Sequence, residues 1–171
     1  HGTSATSTSD VASCNYVARR FGVRNGMSLQ RAQALCPGVR TLPYAFEAYR
    51  ATSRQFYEAL VHVADAIQVV SVDEALLDMS HALPALLRGD GHPLADRFDA
   101  HKHLGVAALG EAVRDLIRSA TQCEASVGIG ANILQARLAT RLAKPSGTHV
   151  LDVACLRSDE LPALWGVGAG Q

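Results

Sequence analysis

Two kinds of apolar periodicity alternate along this chain, and their alternation limits the fold more than any other feature. Residues 46–67 repeat apolar side chains at Phe56, Leu60, Val63 and Ile67, three and four apart, which predicts one amphipathic helix. The run QVVSVDEALLDMS follows and reads as a strand. Leu109, Val113, Leu116 and Ile117 mark a second helix, and CEASVGIG reads as a buried strand entering a glycine turn. Ile133, Leu134, Leu138 and Leu142 mark a third helix, capped near Asn132 and ended by Lys144 and Pro145. The order predicts an α+β fold, a mixed sheet with helices packed on one face. Upstream, FGVRNGM carries a turn signal before Ser28, which caps a helix running to Cys36 and stopped by Pro37. Residues 1–10 read as loop or linker. Residues 81–105, with Pro84, Gly89, Gly91, Pro93 and three histidines, read as a long inserted loop with room for one short helix. The tail LPALWGVGAG reads as a turn-rich helical element.

Composition narrows the class. The 171 residues are 48% hydrophobic and 19% charged, enough apolar material for a core and too little charge for a disordered chain. No apolar run approaches the roughly eighteen residues of a membrane-spanning helix, so an integral helical membrane protein is not expected. The chain opens at His1, with neither an initiator methionine nor a signal peptide, and reads as a fragment. Cys14, Cys36, Cys123 and Cys155 form no CxxC pair, which points to a reducing, intracellular compartment rather than to a disulfide framework or zinc ribbon.

The formal net charge is zero, but it is segregated. Residues 13–54 carry seven arginines against Glu47 alone, a basic stretch of plus six. Residues 55–106 carry eight acids against Arg88, Arg97 and Lys102, an acidic stretch of minus five. Such a pairing fits a site where arginines hold a polyanion and carboxylates hold its divalent cations, and it fits equally two solvated faces.

Asp73 and Glu74 stand together in an otherwise apolar run, where an unpaired carboxylate would be costly to bury. Magnesium held by carboxylates and phosphate oxygens would balance them; so would backbone amides or facing arginines at a hairpin tip. Neighbours on a regular strand point to opposite faces, so a shared metal site requires the chain to bend or end between Ser71 and Ala75. Tyr16 and Arg19, three apart, would share one face of a helical turn and could meet a phosphate, with Ser13 and Asn25 as neutral donors. The alternative is a surface arginine beside a half-buried tyrosine. Lys144, beyond Arg137 and Arg141, could place an ammonium on a polyphosphate or simply complement a helix C-terminus. His92, His101 and His103 with Cys123 match no standard zinc spacing. GIGAN lacks the lysine of a phosphate loop and reads as a strand-to-helix turn.

Taken in order, SCNYVARRFGVRNGM, SVDEALLDMS and GIGANILQARLATRLAKPSG resemble the Y-family translesion DNA polymerases over most of residues 11–151. Within that family RNGM, CPGVRTLPYAFEAY and ANILQARLATRLAKP look like the Rev-type deoxycytidyl transferase branch, whose members carry a UmuC/ImpB-type domain. The eta, kappa and bacterial branches fit less well, having an aromatic inside DEA(F/Y)LD and an Asn-Lys pair where this chain has Asn132 and Ile133.

The resemblance implies fingers at 11–50, a palm at 51–151 and the start of a helical thumb at 152–171. It implies that Asp73 and Glu74 are catalytic metal carboxylates for two Mg2+ ions. It implies that Ser13, Tyr16, Arg19, Asn25 and Lys144 grip the incoming triphosphate, and that amides around Gly166 and Gly168 meet DNA phosphate. The implied reaction is template-directed transfer of dCMP from dCTP to a primer end opposite damaged or abasic template. The implied partners are primer-template DNA, other translesion polymerases and the replication clamp, in the nucleus. The family's first metal carboxylate and the branch's dCTP-pairing arginine would lie upstream of residue 1, so the polypeptide as given is expected to be inactive alone. Two rival readings are a less restricted lesion-bypass polymerase and a noncatalytic DNA-binding scaffold.

Overall fold

The computed structural model describes residues 9–152, which fall in two compact units divided between Phe46 and Glu47. The sequence reading draws its boundary at 50/51. The predicted tail element at LPALWGVGAG, with Gly166 and Gly168, lies outside the described residues.

The first unit is small. Asn15 starts α1 (Tyr16–Arg20) by accepting a hydrogen bond from the Ala18 amide at 2.9 Å. Ser28 starts α2 (Leu29–Leu35) by accepting from the Arg31 amide, and the helix stops at Cys36, ahead of Pro37, as predicted. Ala18, Val23 and Ala32 form its core, with Val11, Cys14, Met27 and Cys36 packed around them. The end of the expected linker is tied into this unit: Asp10 bridges to Ser28, and Ser9 accepts from the Leu29 amide.

In the second unit, α3 (Phe46–Val61) ends six residues earlier than its apolar stripe suggests. Leu60 and Val63 are buried, but Ile67 belongs to a strand. The run read as one strand is a hairpin: β1 (Ala66–Val69) pairs antiparallel with β2 (Ala75–Asp78), Val69 opposite Ala75. Its five-residue tip, 70–74, contains no Gly or Pro, so the sequence carries no punctuation there.

The expected loop at 81–105 is mostly helical, comprising α4 (Ala82–Arg88), α5 (Ala95–Ala100) and a 3-10 turn at Lys102–Leu104. Pro84 occupies the first turn of α4, where a missing N–H costs nothing, and Gly89 stops the helix at φ +79°. Leu86, Leu94 and Phe98 from this stretch are almost fully buried. Burial of each is worth about 1.5–3 kcal/mol, enough to order a segment whose residues individually signal a loop.

These side chains share one core with α3 and with α6 (Ala107–Thr121), through Leu109, Val113 and Ile117. β3 (Val127–Ile129), α7 (Ile133–Ala143) and β4 (Thr148–Val150) form a parallel crossover unit, Val127 opposite Thr148. The predicted cap on α7 is present, Asn132 accepting from the Gln135 amide at 3.0 Å. A Cβ on Gly128 would collide with the backbone of α7 at Ala136 and Thr140, so α7 lies directly on that face of the strand. A Cβ on Gly110 of α6 would collide with the Thr148 side chain, which alternation puts on the opposite face.

The α+β class is the expected one, with two differences in layout. The described strands form two separate pairs rather than one mixed sheet, and helices cover both faces of the β3–β4 pair.

Candidate nucleotidyl-transfer site

Asp73 and Glu74 sit at the tip of the β1–β2 hairpin, outside the paired strands, so the required bend between Ser71 and Ala75 is present. The tip is tightly closed. Glu74 O accepts from the amides of Val70 at 2.9 Å and Ser71 at 3.1 Å. Asp73 Oδ1 accepts from Ser71 Oγ at 2.7 Å. Both acids are exposed, Glu74 to 48%, so the burial cost argued from the apolar run does not arise. The exposed run includes Val69 at 63% and Val72 at 66%, which leaves the carboxylates in water on an apolar knuckle.

Two residues not singled out from sequence act on this tip. Tyr57 of α3 directs its hydroxyl at Ser71 O, 2.5 Å away, and Glu74 O, 2.8 Å away. Burial, reinforced by the nearby negative charge of Asp73, pushes its pKa up, so the phenol remains a donor at neutral pH. Arg137 of α7 brings Nη2 to 3.8 Å from Glu74 Oε1. Neither long-range contact has a local sequence signal.

Lys144 is exposed and caps the C-terminus of α7, seven positions or about 10 Å of helix beyond Arg137. Its position therefore also satisfies the simpler helix-end reading.

In the first unit, Tyr16, Arg19 and Asn25 gather around Cys14. Arg19 Nε donates to Cys14 O at 3.0 Å, its guanidinium lies 5.2 Å from the Tyr16 ring centre, and Cys14 Sγ donates to Asn25 Oδ1 at 3.6 Å. The helical turn predicted for Tyr16 and Arg19 is thus realised as a cation–π contact. Arg19, Val23, Arg24 and Asn25 line a concavity of about 270 Å³. Arg24 is a member of this wall that motif reasoning missed. Ser13 is exposed nearby in sequence.

Two of the three histidines read against zinc serve other ends: His101 meets Asp115 at 2.7 Å, and His92 Nδ1 accepts from the Leu94 amide at 3.2 Å. Among the described residues no three His, Cys, Asp or Glu side chains cluster as a metal site. Asp73 and Glu74 nevertheless offer exposed hard oxygen donors, which suit Mg2+ as part of a ligand set completed by substrate and water.

A sequence model described as the impB/mucB/samB family matches residues 2–141, which include the hairpin tip and α1. The chain belongs to that family. It is 40% identical to DNA repair protein rev1 of Schizosaccharomyces pombe, over 95% of this chain and 16% of that protein. It is 32% identical to DNA polymerase IV of Bacteroides fragilis, over 92% of this chain and 40% of that protein. A solved structure described as a Dbh ternary complex superposes with a TM-score of 0.70 at 26% identity, covering 94% of this chain and 44% of the other. This is the Y-family polymerase fold, and the chain spans about a sixth of the length of the rev1 relative.

Proposed function

We propose that this chain supplies the fingers, 11–50, and most of the palm, 51–151, of a Rev-type translesion DNA polymerase, with 152–171 opening the thumb. It would transfer dCMP from dCTP to a DNA primer end opposite damaged or abasic template. The observation that carries the reading is the hairpin tip, where two adjacent carboxylates are presented to solvent on a closed turn in a chain of this family.

When bound, two Mg2+ ions would polarise the phosphoryl group and lower the pKa of the attacking primer hydroxyl. Asp73 and Glu74 would hold them in part. Tyr16, Arg19, Asn25 and Ser13 would orient the triphosphate as donors, with Arg19 already immobilised by Cys14 O and the Tyr16 ring. Lys144 would place a further ammonium on the polyphosphate. Primer-template DNA is the polymeric substrate, the other translesion polymerases and the clamp are the protein partners, and the nucleus is the compartment. Similarity to rev1 of a eukaryote supports the branch and the location.

Primer extension by the intact natural protein, with Mg2+ and each dNTP alone on an abasic template, tests this reading. Insertion of dCMP alone is the expected result. Comparable insertion of several nucleotides would move the protein to a less restricted lesion-bypass branch, and DNA binding without insertion would make it a scaffold.

A further inference from the structure

We infer that Tyr57 is a positioning residue for the carboxylate pair, clamping the hairpin tip from α3 so that Asp73 and Glu74 are presented as one cation-binding unit. The inference rests on the polymerase reading for its consequence in catalysis, and on geometry for the clamp itself.

Tyr57 OH has one hydrogen and two carbonyls within reach, Ser71 O at 2.5 Å and Glu74 O at 2.8 Å. Glu74 O already accepts two tip amides, whereas Ser71 O is the nearer acceptor. The single proton therefore goes to Ser71 O, which ties the entry of the tip, two residues before Asp73, to α3. Its ring is braced in turn: Phe56 packs edge-on to it, centroids 5.0 Å apart and planes at 79°, and Phe56 is anchored on the main core. The hydroxyl thus reports the position of α3 to the tip through a short, stiff linkage. In an exposed turn of five residues without Gly or Pro, that linkage adds to the turn's own hydrogen bonds in fixing the backbone that carries the two carboxylates.

The test uses the intact protein and Tyr57→Phe, which deletes only the hydroxyl. Mn2+ binding without DNA is followed by electron paramagnetic resonance, and the Asp73-dependent part is obtained by subtracting Asp73→Asn. Losing one short hydrogen bond should weaken that binding about fivefold. The Mg2+ concentration for half-maximal primer extension should rise by a similar factor, while the KM for nucleotide changes less than about twofold. Phe98→Leu, which loosens the same core at a buried side chain of α5, controls for general destabilisation monitored by thermal melting. Unchanged Mn2+ affinity in Tyr57→Phe, an equal loss in Phe98→Leu, or no Asp73-dependent binding in the natural protein would each overturn the inference. If Mn2+ affinity shifts as expected but the natural protein inserts no nucleotide, the clamp stands and the polymerase reading falls.

Discussion

Asn15 illustrates how much can depend on one side chain. Its carboxamide caps a helix of five residues, too short to persist on propensity alone, and that helix carries Tyr16 and Arg19. Replacing Asn15 with Ala should cost about 1 kcal/mol, read as a lower denaturation midpoint, and should weaken nucleotide binding more than DNA binding. Arg137 makes the opposite case. Its contact with Glu74 is 3.8 Å long between half-exposed partners, so Arg137→Ala should change stability by less than about 1 kcal/mol. Asp73 and Glu74 were legible in the sequence as candidates because two adjacent acids interrupt an apolar run. Tyr57 and Arg137 were not: Tyr57 meets carbonyls fourteen and seventeen residues away, and Arg137 comes from a helix more than sixty residues on. Nothing local in either neighbourhood marks such a partner.

Elements whose apolar period is long were readable, as α6 and α7 show, and at α7 the Asn132 cap marked the start as well. The hairpin was legible only as a bend between Ser71 and Ala75, because a tip without Gly or Pro leaves β1 and β2 reading as one strand. At α4 the difficulty reversed: Pro84 and Gly89 punctuate a short helix but read as a loop when burial of Leu86 is invisible. Gly128 was read as strand entering a turn, and its actual role is to let α7 lie against the backbone of β3. Gly128→Ala should therefore destabilise by at least about 2 kcal/mol, because its Cβ meets backbone atoms that cannot swing aside. A thermal melt several degrees lower than that of the natural protein is the expected result.

At the scale of the whole molecule, the charge segregation in the sequence resolves into two different arrangements. The first unit keeps its arginines at the surface, three of them on or beside α1. The second ties much of its charge into α6 and its surroundings. Arg114 donates to Ala125 O and Ser146 O as well as to Glu111, so it holds together the chain ends leading into β3 and β4. His101 and Arg118 bond Asp115, and Arg118 also bonds Glu124. These hydrogen bonds, from His101 to Asp115 and from Arg118 to Glu124, hold both carboxyls below their ordinary range. On unfolding, both would take up protons more readily, so their contribution to stability is complete above the ordinary carboxylate pKa of about 4 and fades as pH falls below it. Melting temperature should therefore fall below about pH 4, and Asp115→Asn should make that fall shallower.

The proposed role of the hairpin tip in nucleotidyl transfer is measured most directly by single-turnover insertion of dCMP opposite an abasic site in Mg2+. At matched DNA occupancy the natural protein should insert dCMP, and Asp73→Asn should do so at least about a hundredfold more slowly. Equal rates from the two proteins would contradict it.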